Sequence, residues 1–399
     1  MNLEKIVYGR QCDRFFRITN AEGKMWLLPL RNIRMAMELY QPSGYRGKIL
    51  KCLLPLLSYV QFLSRYCHVE LTEASIEDSL LKVFQRVFAN KNIEYSIFFG
   101  SPGPRQKITI QIYNENTILG YAKISDNLDV VSSFYQEMSF LQYLSEKGIK
   151  NIPSILFCEK LDDYFVFIQT TCKTIHSTVF HKITPFHIDF AKEIYEKTKT
   201  KIPFVETGLY NDLRYLESIL DNIATNDREI LRNGINSIVT YYRGDVEFGA
   251  IHGDFTPWNS YFESGELFTF DYEYGAMGYP AYMDIIHFEL QIDILVKNLT
   301  IEEAFVDLQN IGLKIPVRDI KPLVISYLLR VFSLYSRLFC GNFSPQDRSY
   351  KMWIGLIDKY NKSPFELNIN KLDDYEQDCL IKGLKLRGYN GESIKLLFK

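Results

Sequence analysis

Between residues 93 and 170 the sequence changes its period, and this constrains the fold more than any other feature. IEYSIFFG is rich in β-formers and ends at Gly100, and SPGPRQ is turn-forming. KITIQIYN alternates apolar and polar residues, NEN turns the chain, and TILGYAKIS reads as another strand. DVVSSFYQEMSFLQYLSEKG takes helical spacing and stops at Gly148. NIPSILFCEKLDDYFVFIQT supplies two more strands around Leu161–Asp163. The order predicts a five-stranded antiparallel sheet with one inserted helix. Beyond Thr171 the pattern turns helical, with Thr184-Pro185 as a helix start. The chain therefore reads as α+β: a small β lobe at 91–170, then a larger, mostly helical lobe at 171–399.

Residues 1–90 form an extra amino-terminal region of unassigned role. EGKMWLLPL reads there as a strand, and RNIRMAMELY and ASIEDSLLKVFQRVFAN read as helices. The run from Lys48 to Tyr66 is the most apolar, but Lys51, Pro55, Ser58 and Gln61 interrupt it. It is too short and polar to span a bilayer. Two readings stand: a core helix or helix pair, or an interfacial helix making peripheral membrane contact, with Arg31, Arg34, Arg46, Lys48, Lys51 and Arg65 around it.

Composition removes several function classes. At 399 residues and 47% hydrophobic, the chain can bury a large core. A formal net charge of −2 gives no sign of nucleic-acid binding. Seven scattered cysteines (Cys12, Cys52, Cys67, Cys158, Cys172, Cys340, Cys379) contain no CxxC, so neither a disulfide framework nor a zinc site is expected. With no long apolar core of a signal peptide at the amino terminus, a cytoplasmic location is expected. There is no Walker A motif.

The chemistry concentrates in IHGDFTPWNSYFESGELFTFDYEYG, residues 251–275. NSYF and LFTF are short β-like runs joined by a turn at Glu263–Glu266, a hairpin expected to carry Asp271 back toward Asn259. An amide oxygen and a carboxylate are hard ligands suited to Mg2+ beside phosphates. Asp254 is then placed to orient a hydroxyl and receive its proton. Glu273 reads as a strand-face carboxylate and His287 as a packed histidine.

This pattern resembles the aminoglycoside phosphotransferase and choline kinase family, within the bilobal protein-kinase-like fold. His252, Asp254 and Asn259 stand at the spacing of its catalytic loop, Asp271 at its second metal position, and DYEYGAMGYPAYMDIIHF is similar to its continuation. The similarity covers roughly 93–300 and is sharp only over 251–288. The resemblance implies Lys123 on the nucleotide phosphates, Glu137 holding Lys123, and Gly100, Ser101 and Gly103 covering the phosphates, though an ordinary tight hairpin explains that turn as well. It implies a hinge for the adenine at Gln169, Thr170 or Thr171, without choosing among them. His252 would brace the loop, and Asp284 would accept from the loop backbone or cap the next helix. ATP is the implied donor, with GTP the alternative, and Mg2+ the implied metal.

The implied activity is phosphoryl transfer to a hydroxyl of a small molecule. The near balance of acidic and basic residues over 281–399 does not favour a polycationic aminoglycoside, and the acidic run at 373–378 reads as a solvated face. A choline-like acceptor needs an aromatic cage, for which Tyr279, Tyr282 and Trp353 are candidates. A sugar or glycan precursor fits better. The competing class is a pseudokinase or nucleotide-binding interaction module, against which stands the presence together of Lys123, Asp254, Asn259 and Asp271.

Overall fold

The computed structural model describes residues 13–42, 44–60, 66–67, 69–103, 105–339 and 344–362. Expectations on Cys12, Cys340, Cys379, positions 61–65 and the acidic run at 373–378 fall outside them. The chain divides into two compact units: Met1–Val179 with Ser260–Glu273, and Phe180–Asn259 with Tyr274–Lys399.

The first unit is built on an eight-stranded sheet in the order β3-β1-β2-β4-β5-β6-β8-β7. The strands are β1 (Asp13–Thr19), β2 (Met25–Pro29), β3 (Glu70–Ala74), β4 (Glu94–Phe98), β5 (Ile108–Tyr113), β6 (Ile118–Ser125), β7 (Ile155–Leu161) and β8 (Tyr164–Thr170). Every pairing is antiparallel. Five of these strands match the alternation read in the sequence. The other three come from the first 90 residues and join through β2, with Trp26 opposite Phe98 and Leu27 opposite Ile97. β2 lies within EGKMWLLPL, the run read as a strand, but neither β1 nor β2 shows a clean period, for a physical reason. Both faces of β1 and β2 are covered: Phe15 and Leu27 enter one core cluster, Phe16 and Leu28 the other. A strand buried on both sides loses its alternation. β3 is an edge strand, mostly exposed, and carries little apolar signal.

Among the described residues, four helices accompany the sheet: α1 (Ile33–Ala36), α2 (Tyr45–Tyr59), α3 (Asp78–Val87) and α4 (Leu128–Glu146). α3 buries Leu80, Val83 and Phe84 against Ile97, Ile110 and Ile124. α4 starts at Asn127, whose side chain accepts from the amides of Asp129 and Val130. It ends as Gly148 takes the left-handed region (φ 77) and Ile149 N–H closes on Leu144. α2 is the helix read in the apolar run. It buries Leu54 and Leu57 on one side and leaves the other open. No described helix is long and apolar enough to cross a membrane.

The second unit is mostly helical: α5 (Pro185–Thr198), α6 (Gly208–Ile219), α7 (Thr225–Tyr241), α8 (Met283–Ile292), α9 (Ile301–Lys314), α10 (Ile320–Leu338) and α11 (Arg348–Lys362). A three-stranded sheet interrupts them, with β10 (Asp245–Ile251) between β9 (Thr200–Pro203) and β13 (Ala276–Tyr279). This sheet fixes the start of the loop at 252–259. The Thr198 hydroxyl donates to Ile194 O at 2.6 Å and accepts from Ala250 N at 2.8 Å, tying α5 to β10. Tyr279, Tyr282 and Trp353 are all buried in this unit. They are packing residues and form no open aromatic cage. The hairpin of β11 (Ser260–Glu263) and β12 (Glu266–Thr269) belongs to the first unit, with Ser260 opposite Thr269.

Candidate active site

Two groups of charged residues stand out among the described residues, one in each unit.

In the first unit the pleat of β6 sets the site. Ala122 and Ile124 point into the core shared with α3, so Lys123 points to the other face. α4 lies on that face. Its buried residues Val130, Phe134, Glu137, Leu141 and Leu144 follow one helical stripe, and Glu137 is the carboxylate in it. Lys123 Nζ donates to Glu137 Oε2 at 2.6 Å and Oε1 at 2.9 Å. It also donates to Asp271 Oδ1 at 2.6 Å. Lys123 is therefore neither a surface strand lysine nor Glu137 a solvated carboxylate: they are 5% and 0% exposed.

A second lysine enters, which the sequence reading did not single out. Lys107 Nζ donates to Glu273 Oε2 at 2.7 Å and lies 3.7 Å from Asp271 Oδ1. It stands in the turn before β5, two positions ahead of Thr109, which pairs with Lys123. Turn lysines are common, so its identity gave no signal. Glu273 is thus a partner in an ion pair. Asp271 itself takes a left-handed backbone (φ 67), and Tyr272 N–H donates to Glu137 Oε1 at 3.3 Å.

Burial opposes the charge on Lys123, but Asp271 and Glu137 outweigh it and hold its pKa above the ordinary lysine value. Lys107 is likewise held up by Asp271 and Glu273 against its burial. Burial pushes the Glu137 carboxyl up, with Lys123 pulling the other way. Both ammonium groups are charged at neutral pH. Three carboxylates against two ammonium groups leave one formal negative charge, a setting that suits an added cation.

The turn at 100–103 divides. Gly100 is buried with φ 68, and an added Cβ would lie 2.6 Å from Lys107 O, so only glycine fits. Ser101 and Gly103 are exposed. Among the hinge candidates, Thr170 already spends its amide on Ser154 O at 2.9 Å. Thr171 Oγ1 lies 2.9 Å from the Tyr261 hydroxyl. Gln169 is buried, and its Oε1 has no hydrogen-bond partner.

In the second unit the loop after β10 is held by α8. Asp284 Oδ2 accepts from His252 N at 2.7 Å and its Oδ1 from Gly253 N at 3.0 Å. Gly253 has φ 82, and a Cβ there would lie 2.1 Å from Tyr274 O, so the position between His252 and Asp254 requires glycine. His252 is fully buried, and its Nδ1 accepts from Asp254 N at 3.3 Å. Asn259 Nδ2 donates to Asp254 Oδ2 at 2.7 Å and to Asp254 O at 3.0 Å. With Nδ2 spent this way, Oδ1 is the atom Asn259 offers a cation.

His287 was expected to be a packed histidine. It is buried, and it also reaches Asp254: Nε2 lies 3.0 Å from Asp254 Oδ1. Its Nδ1 lies 3.1 Å from the Tyr327 hydroxyl. If Tyr327 donates to Nδ1, the proton sits on Nε2 and is directed at Asp254. Both carboxylate oxygens of Asp254 are thereby oriented, one by Asn259 and one by His287. The apolar setting of His287 in MDIIHFEL concealed this role.

No protein-family model matches the sequence, and no curated protein matches it. Solved structures do resemble it. The aminoglycoside phosphotransferase APH(4)-Ia aligns over 71% of this chain and 98% of its own, at 11% identity and a TM-score of 0.46. A putative fructosamine-3-kinase from Haemophilus somnus 129PT aligns over 71% and 95%, at 12% identity and 0.43. The amicoumacin kinase hAmiN aligns over 74% and 97%, at 12% identity and 0.42. At such identities and scores, the residue geometry carries the functional argument.

Proposed function

We propose that this protein is a Mg2+- and nucleotide-dependent phosphotransferase acting on a hydroxyl of a small molecule. The observation that carries the reading is the buried Lys123, clamped by Glu137 and Asp271. A buried positive charge held in place by two carboxylates is more characteristic of a functional site than of packing. Phosphoryl transfer uses it, because that reaction needs positioned charge more than covalent help.

In this reading Lys123 binds nucleotide phosphates, and Glu137 fixes its position. The turn at Gly100, Ser101 and Gly103 covers the phosphates, and Gln169 or Thr171 meets the base. Asn259 and Asp271 hold Mg2+. The residues fit that ion: Asn259 has its amide oxygen to give, and the Asp271 group carries net negative charge. What joins the two ligands in this proposal is their spacing in the sequence, one on each flank of the β11–β12 hairpin. The metal would supply charge neutralisation on the phosphates. Asp254, oriented by Asn259 and His287, accepts the proton of the attacking hydroxyl. His252 and Asp284 hold the loop that carries it.

ATP is the proposed donor, with GTP as the alternative, and a sugar or glycan precursor the proposed acceptor. An aminoglycoside remains the alternative acceptor. The buried positions of Tyr279, Tyr282 and Trp353 weigh against a choline-type cage made from them. A pseudokinase is the competing class.

The test is Asp254→Asn, assayed by transfer of labelled γ-phosphate to a panel of hydroxyl compounds. The variant should lose transfer by at least about 10³-fold while nucleotide affinity stays within about 3-fold. An unchanged rate would remove Asp254 from its role. A wild type that binds Mg2+–nucleotide but transfers to no member of the panel would favour the pseudokinase.

A further inference from the structure

Helix α2 presents an apolar face that nothing among the described residues covers. Leu54 and Leu57 enter the core, and Leu50 packs beside them. The other side carries Tyr45, Ile49, Leu53, Leu56 and Tyr59, exposed by 79%, 42%, 38%, 54% and 87%. Tyr45, Ile49, Cys52, Leu56 and Tyr59 follow steps of four, three, four and three along the helix, which makes one continuous stripe. Five large apolar side chains exposed on one helix are unlike the scattered apolar residues of an ordinary surface.

The charges around the stripe indicate its occupant. With about 100° per residue, Arg46 and Lys48 fall about 80° to either side of its centre, one on each edge. Neither has an ion-pair partner among the described residues. Lys51, further round, lies 3.8 Å from Glu38. No Asp or Glu occurs from Leu39 to Val69, in a chain that holds 48 acidic residues. The stripe begins and ends with tyrosine, whose ring and hydroxyl suit the boundary of lipid and water. Apolar centre, basic edges, aromatic ends and the absence of acid together match an anionic bilayer surface.

We propose that α2 is a peripheral docking helix that lies in the headgroup layer of an anionic membrane, with Tyr45, Ile49, Leu53, Leu56 and Tyr59 in the acyl boundary and Arg46 and Lys48 among the lipid phosphates. The inference rests on α2 alone and stands or falls separately from the phosphotransferase reading. It gives the amino-terminal region a role: it holds the chain at a surface where a lipid-linked or membrane-proximal acceptor would be found.

The experiment is co-sedimentation of the full chain with sucrose-loaded vesicles, of phosphatidylcholine alone or with 30% (about one lipid in three) phosphatidylglycerol. Binding is expected to the anionic vesicles, at least about 10-fold stronger than to neutral ones, and to weaken as salt rises. Leu53→Glu with Leu56→Glu should abolish it. Arg46→Glu with Lys48→Glu should reduce it by at least about 10-fold. All four side chains are exposed, so unchanged thermal midpoints would show that the variants fold. A second readout is Leu56→Trp, whose emission should be quenched by brominated anionic lipid. The proposal is overturned if the wild type binds neither vesicle or if the Leu53/Leu56 variant binds as well as wild type. It is also overturned if the wild type is a dimer that the variant dissociates while lipid binding is absent, since the stripe would then face a second copy.

Discussion

Asp254 has one carboxylate oxygen on Asn259 Nδ2 and the other on His287 Nε2, and this two-sided hold sets what point changes should do. His287→Ala removes one side and the link to Tyr327. Steady-state kinetics should show kcat lower by about 10²-fold with the nucleotide KM little changed, the signature of a misplaced group and not of lost binding. Equal losses in nucleotide affinity and kcat would contradict a positioning role. Glu137→Ala is a different case, because it leaves Lys123 buried with one carboxylate fewer. Breaking a buried pair in this way should cost about 3 kcal/mol, read from urea unfolding. A cost below about 1 kcal/mol would mean that Asp271 alone satisfies the ammonium. The two residues also differ in how they could be read from the sequence. Glu137 was legible through the family resemblance, which implies a glutamate on the helix after the lysine strand. His287 sits in a stripe where a histidine packs well, and Lys107 in a turn where lysine is unremarkable, so neither was.

Among the elements, the segment that follows β8 is anchored by the amino-terminal region. Lys173 Nζ donates to Glu38 O at 2.8 Å, and Lys173 N–H donates to Thr171 Oγ1 at 3.1 Å. Burial pulls the Lys173 pKa down to about 8, with Glu38 only partly offsetting it. The sign of the pH effect follows. Between about 8 and the unfolded value near 10.5, the unfolded chain binds more protons than the folded one, so stability gains from Lys173 as pH rises. Below pH 8 both states are protonated, and the cost of burying the charge is carried in full. Lys173→Met should therefore flatten the unfolding free energy between pH 8 and 10, by up to about 3 kcal/mol across the window, relative to wild type. Parallel profiles for the two proteins would show that the lysine is not desolvated. The element scale also explains where strand reading failed. Alternation was clean in β5, and β2 falls within the run EGKMWLLPL read as a strand, whereas β1 is covered on both faces and β3 is a polar edge. β9 and β13, four residues each, gave too little length for a period to show against helical neighbours.

For the molecule as a whole, the proposed function has Lys123, Asp271 and Asn259 serving one metal–nucleotide complex. In the free protein Lys123 and Asp271 satisfy each other, so ligand is expected to compete with an internal ion pair, and metal and nucleotide to bind together. The most direct measurement is thermal unfolding of wild type and Asp271→Ala with ATP and with GTP, each with and without Mg2+. A ligand at about 100 times its Kd adds about 2.7 kcal/mol and raises the midpoint by a few degrees. Such a shift is expected for wild type with nucleotide and Mg2+ together, smaller without Mg2+, and absent in Asp271→Ala. A wild type that no nucleotide shifts, or an equal Mg2+-dependent shift in Asp271→Ala, would contradict the proposed function.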